Sequence, residues 1–596
     1  MLPIRLLQSK VLLNVMRNVS VFNKFQHTKS EIVVNLKTTL PEHKKKLEKR
    51  IPFAKSLFLG QFDEEFIIFP ECQSSERHPE FLEWLKQVES YILSRKDIPL
   101  NIQTIEDLTN FGVFRANLSS LHGGLNFNNT EINRLLETLS LVPSLGPYFL
   151  HHNINPIKII NTYGNKKQKD YYLPRIGTGE LIPTLCFAEK DGRANLSQIQ
   201  TYATQSVCHN FITLNGTKVF VPNGKNANLF LILAHYTISL DINKSSDNLT
   251  LYMVESNLEG VSCEDIKESI RLKDVYTCSV KLKDVKIPIT NQLGRLGDGA
   301  EAFIDINKPE NSSTSPITIC LLRKFVNLLC EHIFVKKHLD KNMYQIESVQ
   351  MIMGQLVATL YCMESLTYLT AGLSDIFNNQ DMTLEMAVTE TYCRRQCIDS
   401  ICKGLQMAGT EAFVKDNPFF GIFQEALEIT MFNNNHIDSD LYTSTLALQS
   451  VGLAMKGIIK KKEYCHPSLK EAATILEENI HVLKTSGFQL LVDYGTTIAE
   501  CELLLQRLGQ MLTNICVLNA VISRASRSYC TGINNSENER QLALGIADIV
   551  NTDLKMLAYT VQCNDWRNGD AIYKNVANLL FTKKNYVFEH PLTRNR

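Results

Sequence analysis

Residues 201–224 read TYATQSVCHNFITLNGTKVFVPNG, and this stretch decides the fold. It is a β-rich run closed by Asn223-Gly224, the pattern of a strand followed by a turn. Three more such runs follow: NLFLILAHYTI (228–238), LTLYMVES (249–256) and CSVKLKDVKIP (278–288). Asp247-Asn248 and Lys273-Asp274 punctuate them. The four runs predict a β domain over 183–292.

On either side the period changes. Apolar residues recur every three or four positions in FLEWLKQVESYIL (81–93) and INRLLETLSLV (132–142), which predicts a helical domain over 81–182. Helical periodicity resumes after the turn-rich QLGRLGDG (292–299), predicting a helical bundle over 293–460. KKKEYCHPSLKEAATILEEN (460–479) marks a break and a new helix start, with Ser468 placed to cap it and Glu471 to close a capping box. An additional helical domain is therefore expected over 461–596, giving an α+β chain in the order helical, strand, helical, helical. Residues 31–80 read as an N-terminal extension. Residues 1–30 carry Arg5, Lys10, Arg17, Lys24 and Lys29 among apolar residues and no acid, the composition of a mitochondrial transit peptide.

The bulk composition narrows the function. A chain of 596 residues with 44% hydrophobic and 21% charged residues buries a large interior in several units, and it is not disordered. Its formal net charge of zero, with both signs interspersed, leaves no broad basic face for nucleic acid. The sixteen cysteines are scattered without zinc spacing, so no metal site is expected and a reducing compartment fits better than secretion. Cys393 and Cys397, one helical turn apart in an apolar stretch, read as buried thiols. No run of eighteen consecutive apolar residues predicts a membrane span.

Several segments together carry a resemblance. They are PFAKSLFLG (52–60), GGLNF (123–127), KVFVPNG (218–224), IPITNQLG (287–294), ESLTYLTAGL (364–373), SRASRS (523–528) and EHPLTR (589–594). In this order they resemble the acyl-CoA dehydrogenase family, in particular its very-long-chain branch and the ninth paralogue beside it, in a divergent insect-type form. The resemblance implies an N-terminal helical domain, a middle β-barrel domain, a C-terminal four-helix bundle and an extra C-terminal helical domain. It also implies FAD, a fatty-acyl-CoA substrate, and a carboxylate base that removes the proton alpha to the thioester.

Set against the family pattern, the site residues are largely replaced. The branch's F-E-G-T-N-E-I-L-R segment, which opens on the base, matches Phe432 to Asp440, so the glutamate position is Asn433. An amide cannot accept a proton at neutral pH. The register is fixed downstream by Tyr442, Gln449 and Gly452, and the family's flavin-holding Thr and second Glu become Asn435 and Ile437. The L-T-E-P-x-S-G-S-D loop reads Phe187 to Asn195 and keeps only Glu189 cleanly. W-I-T-N-G reads Phe220 to Gly224, where Phe220 keeps an aromatic face, Asn223 is retained, and Pro222 removes a hydroxyl and a backbone donor. The arginine-containing R-x-Q-F segment becomes Lys337 to Asn342, and the G-G-L-G-Y turn becomes Gly409 to Phe413. Phe187, Glu189, Phe220, Asn223 and Gly409 are thus the vestigial cofactor contacts. Losing several charge-assisted donors, each worth about 1.5–3 kcal/mol, implies weak or absent FAD.

Glu310 argues the other way, because some branches place the base on a different helix at this position. It follows Pro309, a suitable first-turn proline, although Asn311 stands where those branches have arginine. A solvated glutamate at a helix start, favoured by the dipole, is the simpler reading. His436 reads as a loop residue, and Cys465-His466-Pro467 lacks zinc partners. Lys460 to Lys462, with Leu453, Met455, Ile458 and Ile459, form either a solvated face or a basic amphipathic surface for the inner membrane or a partner. The resemblance implies a homodimer on the matrix side of the mitochondrial inner membrane. As a degraded dehydrogenase it is expected to act with complex I assembly proteins rather than as an enzyme. The alternatives are an FAD-dependent long-chain acyl-CoA dehydrogenase using Glu310, and a fatty-acyl-CoA binding protein.

Overall fold

The computed structural model describes residues 52–592, apart from 61, 72, 75, 95–101, 144, 191–195, 207–209, 238–247, 267–276, 309–312, 339, 378–379, 415–416, 432–464 and 564–566. The N-terminal part is helical: α1 (Phe53–Phe58), α2 (Arg77–Leu93), α3 (Ile102–Asn110), α4 (Asn129–Leu139), α5 (Leu145–Phe149), α6 (Asn155–Tyr163) and α7 (Lys166–Gly177). A π-helical turn, Leu150–Ile154, joins α5 to α6. α4 and α7 start on full capping boxes, Asn128 with Glu131 and Asn165 with Gln168, each satisfying two backbone donors that a helix start otherwise leaves unpaired.

The middle of the chain forms one eight-stranded sheet: β1 (Pro183–Cys186), β2 (Tyr202–Gln205), β3 (Phe211–Pro222), β4 (Leu229–Thr237), β5 (Leu249–Glu255), β6 (Val261–Asp265), β7 (Thr277–Pro288) and β8 (Gln292–Leu293). Its order is β6-β7-β3-β2-β4-β5-β8, with β1 also pairing β4. β4 runs parallel to β1 and β2 and antiparallel to β5. Its unbroken apolar run follows from its position. Leu229, Leu231 and Leu233 face one core, shared with Ile160 and Leu173, while Phe230, Ile232 and Ala234 face a second, shared with Val280 and Val285. A strand buried on both faces has no polar side to show. The Asn215-Gly216 pair inside the opening stretch does not turn. It makes a register shift in mid-strand, where Asn215 Oδ1 accepts the Asp284 N–H at 2.8 Å and its Nδ2 donates to Asp284 Oδ1 at 3.0 Å. Gly216 has φ 155°, and a Cβ there would lie 2.4 Å from Thr201 Oγ1, so only glycine fits.

Helices return with α8 (Asp298–Asn307), α9 (Ser315–Val335), α10 (Glu347–Ile376), α11 (Thr383–Ala408) and α12 (Pro418–Met431). They are followed by α13 (Lys470–Tyr494), α14 (Glu502–Thr531), α15 (Ser536–Gln562) and α16 (Asp570–Lys583). α10 is long and apolar enough to cross a membrane, yet 72% of its most apolar window is buried. It packs on α9 and α11 and also on α14, so its apolar surface is used on two sides. Leu369 and Leu373 belong to one core with Leu476, Leu512 and Leu518, and Met363 to another with Phe325, Cys393 and Ile401. α1 docks on the first of these. Phe53 stacks on Phe66 at 4.6 Å, and the Ala54 N–H donates to buried Glu385 Oε1 at 2.6 Å.

The start of α13 corrects the capping expectation. Ser468 sits inside a 3-10 turn, Pro467–Leu469, whose N-cap is His466: the ring accepts the Ser468 N–H, and α13 itself has no side-chain cap. A histidine acceptor two residues upstream has taken the place assigned to the serine. Similarly, the first-turn proline of α9 is Pro316; Pro309 lies among the undescribed residues. None of the described cysteines is disulfide-bonded, and Cys186, Cys278, Cys320, Cys362, Cys393, Cys397 and Cys516 are buried.

Two outcomes follow from this packing. Leu518→Ala removes a fully buried side chain from the α14 core and is expected to cost about 2–5 kcal/mol, read as a lower urea midpoint. Burial pushes the Glu385 carboxyl up to about 7, although the Ala54 N–H opposes the shift. Because the folded value lies above the unfolded one, the linked stability is full below about pH 4.5 and is lost as pH rises through about 7. Glu385→Gln should therefore flatten the pH dependence of unfolding in that window; an unchanged slope would exclude the assignment.

Candidate functional site

Lys218 in β3 has no exposed surface, and its ammonium lies 2.6 Å from Glu189 Oε1. Glu189, in the segment after β1, accepts three further bonds: Thr201 Oγ1 at 2.6 Å and Thr201 N–H at 3.1 Å on Oε1, and Gln200 N–H at 2.7 Å on Oε2. Lys218 also donates to the Phe187 carbonyl at 3.4 Å. Burial on its own would raise the Glu189 carboxyl; the adjacent ammonium and the donors outweigh it and hold the group below its ordinary value. A buried ion is tolerated only when paired and hydrogen-bonded, and here both ions are.

Of the other residues expected to contact a cofactor, Phe187 touches this pair through its carbonyl. Phe187 is buried with its ring 5.9 Å from Phe303. Phe220, half-buried, has φ 55°, a left-handed conformation in which a bulky residue is strained. Asn223, also left-handed at φ 44°, is buried, and its Oδ1 accepts from Asn226 Nδ2 at 2.8 Å. Thr184 Oγ1 donates to the Pro222 carbonyl at 3.1 Å, so the segment that lost a backbone donor is tied through its acceptor. Gly409 caps α11 with φ 65° and has open space where a Cβ would point.

Two of the altered segments meet. Lys336, beside the replaced R-x-Q-F segment, forms an ion pair with Glu411, two residues after Gly409. That contact holds the exposed Glu411 carboxyl below its ordinary value, and His332 lies 3.7 Å from the same carboxylate. Glu411, in the segment read against the family's glycine turn, thus engages Lys336.

Asn433, Glu310 and Lys460 to Lys462 lie outside the described residues. The head of α9 is held by buried Glu390 of α11, which accepts the Thr314 N–H at 2.9 Å and the Ser315 N–H at 3.0 Å and pairs with Arg394 at 3.1 Å. A cavity of about 330 Å³ opens there, lined by Asn129, Lys158, Ser313, Thr370, Gln380 and Glu390 among others. Sequence reading missed Glu425. It is buried in α12, its Oε2 has no partner among the described residues, and burial pushes its carboxyl up to about 7. Only an acid at an inward helical position signals it, and periodicity alone does not separate that from a surface acid. Among the described residues no group of His, Cys, Asp and Glu is placed to hold a metal ion.

With fold and site described, the chain can be compared with known proteins. Residues 83–180 match the family model described as "Acyl-CoA dehydrogenase, N-terminal domain", and residues 184–285 that of the "middle domain". Residues 467–586 match the model "ACAD9/ACADV, C-terminal domain". The chain belongs to the acyl-CoA dehydrogenase family. Within it, the chain is related to the very-long-chain enzymes. It is 23% identical over 545 residues to the mitochondrial very long-chain specific acyl-CoA dehydrogenase of Mus musculus, covering 82% of this chain and 81% of that one. To the Homo sapiens protein it is 21% identical over 540 residues. An acyl-CoA dehydrogenase from Bacillus anthracis, solved as its FAD complex, has the same fold at 15% identity, with a TM-score of 0.74 over 90% of this chain and 96% of the other.

The buried pair makes a definite prediction. Lys218→Met alone strands a buried carboxylate and should cost about 3–5 kcal/mol, whereas adding Glu189→Gln should restore most of it. Denaturant midpoints of the two variants decide, and equal losses would mean that the pair is not coupled.

Proposed function

We propose that this protein has lost the family's dehydrogenation and acts as a non-catalytic factor, in complex I assembly at the matrix side of the mitochondrial inner membrane. The observation that carries the reading is Asn433 at the position of the family's base, since no proton can leave the alpha carbon to an amide. The fit to FAD supports it. Of the five vestigial contacts, the carboxylate of Glu189 and the amide oxygen of Asn223 are taken up inside the protein, and Phe187 is part of a core. Glu411 takes up Lys336, so that this cation is already engaged and is not held ready for a dianionic pyrophosphate. The Mus musculus and Homo sapiens relatives are mitochondrial enzymes, which supports the location. Assembly proteins as partners and a homodimer complete the proposal, with residues 460–462 as a second contact surface.

A catalytic reading through Glu310 has one point in favour: the cavity at the head of α9 is lined by Ser313, three residues further on. The visible spectrum of the purified chain separates the readings. The proposal expects little or no bound flavin; stoichiometric flavin bleached by a long-chain acyl-CoA would overturn it, and flavin that binds without bleaching would favour an acyl-CoA binding protein. Asn433→Glu should yield no turnover, because the flavin contacts are missing as well. Complex I intermediates are expected to co-purify with the chain in mild detergent, and their absence would count against the assembly role.

A further inference from the structure

Where α4, α9, α10 and α14 meet, a recess of about 300 Å³ opens between the N-terminal helices, the bundle and the additional domain. Three guanidiniums line it, Arg134 from α4, Arg323 from α9 and Arg524 from α14, against two carboxylates, Glu137 and Glu364. The carboxylates are already engaged. Glu137 takes Arg323 and the Tyr368 hydroxyl, while Glu364 takes Arg323 at 2.6 Å and Arg524 at 2.9 Å. Thr130, also on the wall, is bonded to Asp375, whose carboxylate accepts the first N–H groups of α4 and does not line the recess. Arg134 is left with one ion contact, at 3.4 Å from the same Glu137 oxygen that holds Arg323, and its guanidinium makes no hydrogen bond among the described residues. The recess therefore carries one positive charge in excess, and its least engaged cation, 39% exposed, is open to a ligand.

The arrangement of donors selects the occupant. A guanidinium has five N–H donors in a fixed fork, and Arg323 and Arg524 use only part of theirs on the two carboxylates. The donors that remain come from three helices, and so from different directions. A carboxylate offers two oxygens in one plane, whereas a phosphoryl group offers oxygens around a tetrahedron and brings the charge that balances the excess. Phe69 and Pro70 supply an apolar side to the same recess. We propose that it binds phosphate, one phosphoryl group held chiefly by Arg134 with Arg323 and Arg524 behind it. Bound there, the anion joins helices of all three units. This rests neither on flavin nor on the assembly role.

The test is equilibrium dialysis of the full chain against radiolabelled inorganic phosphate, at an ionic strength fixed with sodium chloride so that general screening is constant. One saturable site per chain is expected. Sulfate, which is tetrahedral as well, should displace the label, and acetate should not. Arg134→Gln removes no side-chain hydrogen bond among the described residues and should weaken binding about tenfold or more. Arg395→Gln deletes the same charge from an exposed pair on α11, with Asp399 at 3.9 Å, and should bind as wild type does. The absence of a saturable site, an Arg134 variant that binds as wild type does, or an equal loss in the Arg395 variant would overturn the proposal. So would displacement by acetate as effective as that by sulfate, which would assign the recess to carboxylates.

Discussion

A fully enclosed ammonium cannot stand alone in a protein interior, and the β domain is arranged around that constraint. Lys218 requires Glu189, and Glu189 in turn collects Thr201 and Gln200, so the segment after β1, the approach to β2 and the middle of β3 are tied at one point. Phe187, Phe220 and Asn223 are all within five residues of one partner or the other. Within the candidate cofactor site these segments are therefore tied together by an internal ion pair.

The helical parts are joined by a comparable chain of charge. Arg323 of α9 pairs with Glu137 of α4 and, at 2.6 Å, with Glu364 of α10; Glu364 also takes Arg524 of α14 at 2.9 Å, and that guanidinium lies 4.1 Å above the Tyr361 ring. These contacts link the N-terminal helices, the bundle and the additional domain through one residue of α10. Because α10 is enclosed from both sides, a composition suited to a membrane serves here as interior packing.

Much of this was legible in the sequence. The run in β4 announces a strand with two apolar faces, and the threefold and fourfold spacing in α2 and α4 announces one-sided helices. What escaped were relations across distance. The burial of Lys218 depends on a carboxylate 29 residues away. The cap before α13 depends on the orientation of a histidine ring, where spacing favoured Ser468. In α16 the apolar residues were readable as part of a helical domain, but that none of them is fully buried among the described residues is a property of the folded molecule. Asn433 was found by comparison with a family pattern, since an asparagine in an Asn-rich stretch has no chemistry of its own to mark it.

The thiols give the fold an internal clock. Cys186 lies in the sheet, Cys393 and Cys397 in the bundle, and Cys516 in the additional domain, all buried. Burial also suppresses the thiolate, raising Cys393 to about 12, so in the closed state an alkylating reagent finds neither a path nor a nucleophile. Modification at each position then measures how often its own unit opens. Because these cysteines are distributed over the units and not paired across them, the order in which they react would rank the domains by local stability without any label being introduced.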